Sequence, residues 1–274
     1  MKSLISLLSS FSPHLVASEE NFCKVASFLL KNVSLIVSQE PYRFLEIEFY
    51  YQSPQHPDPF VHASPIQKTL GRWYFHREGI RYRDGTFKGL DLSFGSEGTF
   101  GGILIRTLQS PEGIIINGSS LCVEHLLQKT GFSKIVDLDQ AIQERLIWDE
   151  TNPFYLKEKK EESLTEVYQT SRVGLTLKRF RRYPEMIQYV MKPYRFLTDP
   201  TIKKGKVQTI LALALQGKSV QDIQKTTQSQ EKTIQNYLKE IQQGKLLKDF
   251  ESYEGKSLNS EEIARLCGTC QALL

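Results

Sequence analysis

The spacing of apolar residues divides the chain into two regions. Between residues 43 and 51 apolar and polar residues alternate strictly, which predicts a half-buried β-strand. Leu45, Ile47 and Phe49 share one face of this strand, and Glu46, Glu48 and Tyr50 share the other. After Pro200 apolar residues recur every three or four positions, which predicts helices only. We therefore expect one domain over residues 1–199 and a second, all-α domain over residues 200–274.

The first region combines predicted helices with predicted strands. The helices are expected at residues 19–31, 121–130 and 137–146, and the strands at 33–37, 73–76, 79–94, 101–108, 112–116, 171–176 and 192–197. Asp84-Gly85 is a residue pair typical of a tight hairpin turn. This mixture places the domain in the α+β class.

The second region contains a short predicted helix, a polar turn and a longer predicted helix over residues 230–243. This order is typical of a helix-turn-helix and resembles the DNA-binding segments of sigma-factor-like and response-regulator proteins. Lys232, Gln235, Asn236 and Lys239 lie on the polar face of the longer helix, where they suit base edges and phosphates. A three-helix scaffold that docks proteins is the alternative interpretation.

Composition and charge narrow the functional classes. The 274 residues are 40% hydrophobic and 24% charged, and no apolar run approaches the ~20 residues that a bilayer requires. Residues 172–249 hold sixteen Lys and Arg against six Asp and Glu, although the whole chain is only +4, so this stretch favours a polyanionic partner. The pair Cys267 and Cys270 has no second pair to complete a zinc site, which favours a reduced, intracellular protein without a metal.

The candidate chemistry lies between Glu46 and Arg106. The chain has no phosphate-binding GxxxxGK[ST], no GxSxG and no HExxH motif. A glutamate beside an aromatic residue on a half-buried face can act as a general base, and Glu48 and Tyr50 lie about 7 Å apart along their strand. Arg106 and Asp91 need partners if they are buried. In the alternative interpretation the glutamates face solvent and Arg106–Asp91 is a structural ion pair.

Several motifs in the same order resemble the alkyladenine (3-methyladenine) DNA glycosylases over residues 18–198. The motifs are Glu46-Ile-Glu48-Phe-Tyr50, Gly102-Ile-Leu-Ile-Arg106-Thr-Leu, Ser171-Arg172-Val-Gly174-Leu and Tyr194-Arg195-Phe196. The resemblance implies a curved, mainly antiparallel sheet with flanking helices. It also implies a monomeric enzyme that acts on double-stranded DNA without a cofactor, and the C-terminal helices are an addition to the family's layout.

The resemblance also implies residue roles. Glu48 would activate a water, Arg106 would support the acidic site, and Tyr50 and His62 would pack around a flipped base. Phe87, or else Tyr82, would be the aromatic residue pushed into the DNA stack. Asp91 stands near the place where the family has an asparagine that screens guanine, and its carboxylate could accept a hydrogen bond from an exocyclic amine.

The sequence therefore predicts a monofunctional base-excision glycosylase that removes a damaged, alkylated or deaminated purine. Two other functions remain open. One is a non-enzymatic regulator that binds DNA on a glycosylase-like fold. The other is a hydrolase of a different N-glycosidic substrate, such as a free nucleoside.

Overall fold

The computed structural model describes residues 2–11, 19–160 and 162–274, and it divides into two compact units. The first unit contains the described parts of residues 1–57, 61–167 and 196–198. The second contains residues 58–60, 168–195 and 199–274. The division differs from the predicted boundary after residue 199, because residues 168–195 group with the C-terminal helices.

The first unit is of the α+β class, with a large antiparallel sheet and flanking helices. Its strands are β1 Val33–Val37, β2 Glu40–Ser53, β3 His56–Pro57, β4 Leu70–Phe75, β5 Arg77–Glu78, β6 Arg81–Tyr82, β7 Leu90–Phe94, β8 Phe100–Gln109, β9 Ile115–Asn117 and β10 Phe154–Glu158. Its helices are α1 Lys2–Leu8, α2 Glu19–Asn32, α3 Ser119–Thr130 and α4 Ile135–Ile142. The main sheet has the order β10-β1-β2-β8-β7-β4.

One face of the central strands carries the apolar core. Phe49 of β2 pairs with Ile103 of β8, which pairs in turn with Leu92 of β7, and all three are buried. The ring of Phe22 from α2 lies 4.9 Å from that of Phe49. Because side chains alternate along a strand, Glu48 and its neighbours in register lie on the opposite face.

The second unit begins with β11 Tyr168–Thr170. It also contains α5 Met186–Tyr189, α6 Lys206–Leu215, α7 Val220–Thr227, α8 Glu231–Leu247 and α9 Ser260–Leu273. Leu177, Phe180 and Val190 form one apolar cluster with Tyr253 and Leu266. This burial explains why residues 168–195 belong with the helices rather than with the sheet.

Helices α8 and α9 lie side by side and run in the same direction. Hydrogen bonds join Asn236 to Glu261, Arg265 to Glu240 and Thr269 to the carbonyl of Gly244. A Cβ added at Gly244 would lie 1.9 Å from the Arg265 carbonyl oxygen. Glycine at this position therefore allows the two backbones to approach closely.

Candidate active site

Two irregularities in the pairing of β2 with β8 shape the polar face of the sheet. Phe44 pairs with Leu108 and Glu46 with Thr107, so Leu45 is bulged, and Ile47 then pairs with Ile105, so Arg106 is bulged as well. A bulge turns two successive side chains toward the same face. The carbonyl of Leu45 accepts a hydrogen bond from the Thr198 amide, so the bulged backbone keeps a partner.

Arg106 consequently lies between two buried carboxylates. Its Nε is 2.9 Å from Oε1 of Glu46 and 3.3 Å from Oε1 of Glu48. The Tyr50 hydroxyl donates to Oε2 of Glu48 at 2.9 Å. Glu46 and Glu48 are both 0% exposed. The structure thus brings the predicted residues Glu48, Tyr50 and Arg106 together, and it adds Glu46.

Electrostatics fixes the charge of Arg106. Burial alone would lower the pKa of its guanidinium, but the negative charges of Glu48 and Glu46 outweigh burial and raise that pKa above its usual value. Arg106 is therefore a cation at neutral pH.

The alternative interpretation of these residues is wrong on both points. Glu46 and Glu48 do not face solvent, and the partners of Arg106 are these two glutamates rather than Asp91. This alternative failed because strand alternation by itself does not tell which polar face is covered, and because the bulge changes the direction of Arg106.

A second polar cluster surrounds Asp91 on β7, which is 2% exposed. Its Oδ1 lies 2.8 Å from His76 Nε2, and its Oδ2 accepts a hydrogen bond from Gln67 Nε2 at 3.1 Å. Gly89 and Gly102 leave the room for these side chains, since a Cβ at Gly102 would lie 2.6 Å from Asp91 Oδ2. Each carboxylate oxygen of Asp91 thus engages one protein donor, and the expected hydrogen bond from an exocyclic amine stays a prediction.

His62 lies at the outer edge of this second cluster. Its Nδ1 is 3.3 Å from the Tyr74 hydroxyl, and its ring centroid is 4.3 Å from that of His76. Although much of the residue is exposed, desolvation of the ring and the nearby His76 lower the pKa of His62 to about 4. His62 is therefore neutral at pH 7 and presents an aromatic surface.

The hairpin in front of the sheet differs from the predicted one. The tight turn is Gly79-Ile80, between β5 and β6, with Gly79 at φ 60°. Asp84, expected in the turn, instead caps a short 3-10 helix, Gly85–Phe87. The motif Asp-Gly misled the prediction because an aspartate before glycine also suits a cap.

The two proposed wedge residues have different surroundings. The Tyr82 hydroxyl donates to Asp139 at 2.6 Å, and the guanidinium of Arg77 lies 4.3 Å above the Tyr82 ring. Phe87 is 70% exposed, and Ile80 at the hairpin tip is 92% exposed. Sequence reasoning missed Ile80 because its exposure depends on the position of the turn.

The predicted DNA-binding residues of the second unit share one face of α8. Lys232, Gln235, Asn236 and Lys239 line a groove of about 880 Å³ together with the first turn of α9. Gln235 donates to Glu231 at 2.8 Å, and Asn236 donates to Glu261 at 2.7 Å. The two amide groups therefore have partners within the unit, while both lysines are exposed.

Cys267 and Cys270 are buried in α9. Burial raises the pKa of Cys267 to about 11 and that of Cys270 to about 12, so neither is a reactive thiolate at neutral pH. Across residues 2–11, 19–160 and 162–274 no three His, Cys, Asp or Glu residues are grouped so that they could hold a metal ion. In the same described ranges no helix is both long and apolar enough to cross a membrane.

The fold and the site define an α+β protein with a buried Glu–Arg–Glu cluster on the polar face of an antiparallel sheet. No protein-family model matches the chain. Its sequence is 34% identical over 205 residues to Uncharacterized protein L759 of Acanthamoeba polyphaga mimivirus, and this match covers 69% of the chain and 91% of the viral protein. The chain therefore belongs to the same family as that mimivirus protein.

Proposed function

We propose that the chain is a monofunctional DNA glycosylase that hydrolyses the N-glycosidic bond of a damaged purine. The observation that carries this proposal is the buried Glu48 carboxylate, held by the Arg106 guanidinium and the Tyr50 hydroxyl. A carboxylate in such a setting is suited to deprotonate a water, since its geometry is fixed and bulk solvent is excluded.

The reaction needs neither a metal nor a covalent intermediate. Water attacks the anomeric carbon, its proton passes to Glu48, and the bond to the base breaks with the electron pair leaving on the base. The sugar carries partial positive charge in the transition state, which nearby carboxylates stabilise. A target base in duplex DNA must first be rotated out of the stack.

Two further surfaces support a duplex DNA substrate. The β5–β6 hairpin presents Ile80 at its tip, beside Arg81 and Arg83, which line a groove of about 600 Å³ with Phe87. Glu78 and Asp84 line the same groove, so its two arginines are balanced by two acids. The support for a wedge is the exposed apolar tip, since proteins insert such side chains into the minor groove. In the second unit α7 and α8 would act as a helix-turn-helix whose lysines contact phosphates. Such an enzyme would be an intracellular monomer.

The full burial of Glu48 favours a second candidate, a regulator that binds DNA without catalysis. A substrate would have to reach a side chain that is 0% exposed. One experiment separates these functions. The protein is incubated with duplexes that contain hypoxanthine, ethenoadenine or methylated purines, and with free nucleosides, and the products are treated with alkali to cleave abasic sites.

Release of base from a duplex is the result expected of a glycosylase. Tight binding to duplex DNA without release from any lesion would instead establish the regulator. Hydrolysis of nucleosides alone would show that the substrate is not DNA.

A further inference from the structure

Glu46 lies closer to the Arg106 guanidinium than Glu48, the predicted base, does. Its Oε1 is 2.9 Å from Arg106 Nε, against 3.3 Å for Oε1 of Glu48. Its Oε2 accepts a hydrogen bond from the Thr107 hydroxyl at 2.5 Å. Both oxygens of Glu46 are therefore engaged by donors on β8, the neighbouring strand.

Asn117 fixes the direction of the Thr107 hydroxyl. Its Nδ2 donates to Thr107 Oγ1 at 2.9 Å, so the hydroxyl oxygen is an acceptor there and its proton points to Glu46. A chain of hydrogen bonds thus runs from β9 through Thr107 to Glu46 and Arg106. Such a network holds a charged side chain in one orientation inside a protein.

We infer that Glu46 is a positioning residue, which binds the Arg106 guanidinium and so limits the positive charge that Arg106 directs at Glu48. A guanidinium paired with Glu48 alone would compete with the attacking water and the cationic sugar for that carboxylate. With Glu46 present, Arg106 is shared between two carboxylates, and Glu48 keeps its capacity as a base. The inference rests on the proposed function.

The bulge at Arg106 is what makes this sharing possible. In a regular strand successive side chains point to opposite faces, and Arg106 and Thr107 would not both reach Glu46. The bulged pairing brings both to the polar face, one donor to each oxygen of Glu46.

The test compares the acid limbs of pH–rate profiles, measured as single-turnover base release. Glu46→Gln removes a neighbouring negative charge, and we expect the acid limb to move to lower pH by about one unit. Arg106→Gln should move it to higher pH, and the double variant should fall between the two. Glu40→Gln is the matched control, since Glu40 is on the same strand but pairs at the surface with Lys129, and it should move nothing.

Two milder variants keep the test decisive if Glu46→Gln does not fold. Thr107→Val removes the donor to Glu46 and should shift the limb in the same direction as Glu46→Gln, but less, whereas Thr107→Ser should leave it in place. Loss of rate in Glu46→Gln and Thr107→Val with an unmoved acid limb would overturn the positioning role.

A second readout separates this inference from the proposed function. The Glu48 carboxyl carbon is followed by ¹³C NMR through a pH titration in the wild-type protein and the same variants. If the wild-type protein releases no base, the glycosylase proposal fails, but the order of the Glu48 midpoints still tests the role of Glu46. Identical midpoints in all variants would reject that role.

Discussion

Glu48 and Asp91 pair with the same residue, Leu104, from opposite sides. They therefore lie on one face of the sheet, with their Cα atoms about 10 Å apart, the width of two strand spacings. Leu104 is the side chain between them in this row. A base bound over Leu104 would have Glu48, with Arg106 and Tyr50, on one side and the His76–Asp91 pair on the other.

The hairpin tip gives the first prediction. Ile80→Ala shortens an exposed side chain that makes no core contact, so stability should be unchanged, whereas base release from duplex DNA should fall about tenfold because the gap left by the flipped base is no longer filled. Single-turnover rates on one lesion duplex measure this. Ile115→Ala, at another exposed isoleucine, is the control, and an equal loss in both variants would remove Ile80 from the DNA contact.

The two lysines of α8 give the second prediction. If Lys232 and Lys239 each contact a phosphate, each Lys→Ala substitution should weaken duplex binding and lower the slope of log affinity against log salt by about one. Fluorescence anisotropy over a range of salt concentrations gives both quantities. Substitutions are preferable to deletion of residues 200–274, because residues 168–195 pack against these helices. An unchanged slope would assign α8 to another partner.

His62 gives a prediction about stability. Its pKa is about 4 in the folded protein and near 6.5 in an unfolded chain, so the unfolded state binds the proton more readily. Acidification from pH 6.5 to 4 should therefore destabilise the wild-type protein more than His62→Gln. The difference should be modest, because His62 is partly solvated, and melting temperatures at several pH values measure it. Parallel curves for the two proteins would show that the ring is not desolvated.

The α8–α9 contact gives a prediction about packing. Gly244→Ala places a methyl group against the Arg265 carbonyl, so the helices must separate, and we expect a loss of about 1–3 kcal/mol in the free energy of unfolding. Urea denaturation measures the loss. Gln242→Ala, at an exposed position of the same helix, should change it little. Equal stability of both variants would show that the two backbones do not approach so closely.

Sequence periodicity predicted much of the fold for a physical reason. The alternation in β2 and the apolar spacing in α2 and α6–α8 indicate which face of each element is buried. The helices and most strands therefore lie near their predicted positions. The match is poorer where two local signals compete. Residues 79–94, expected as strands with a tight turn at Asp84-Gly85, contain β6, a 3-10 helix and β7, because Gly79 rather than Gly85 forms the tight turn.

The candidate site was predictable only in part. Strand alternation predicted Glu48 and Tyr50 on one face, the resemblance implied that Arg106 supports them, and the three residues do meet. The role of Glu46 and the pairing of His76 with Asp91 depend on bulges and on cross-strand register, which join residues 15 to 60 positions apart. No local pattern in the sequence predicts contacts between residues so far apart.

The central claim is that Glu48 activates water for base release. The most direct measurement is the single-turnover rate of base release from lesion-containing duplexes by the wild-type protein, Glu48→Gln and the control Glu40→Gln. We expect a rate that is about 10²–10⁴-fold lower for Glu48→Gln, with duplex binding retained and Glu40→Gln fully active. Equal rates for wild type and Glu48→Gln would contradict this claim.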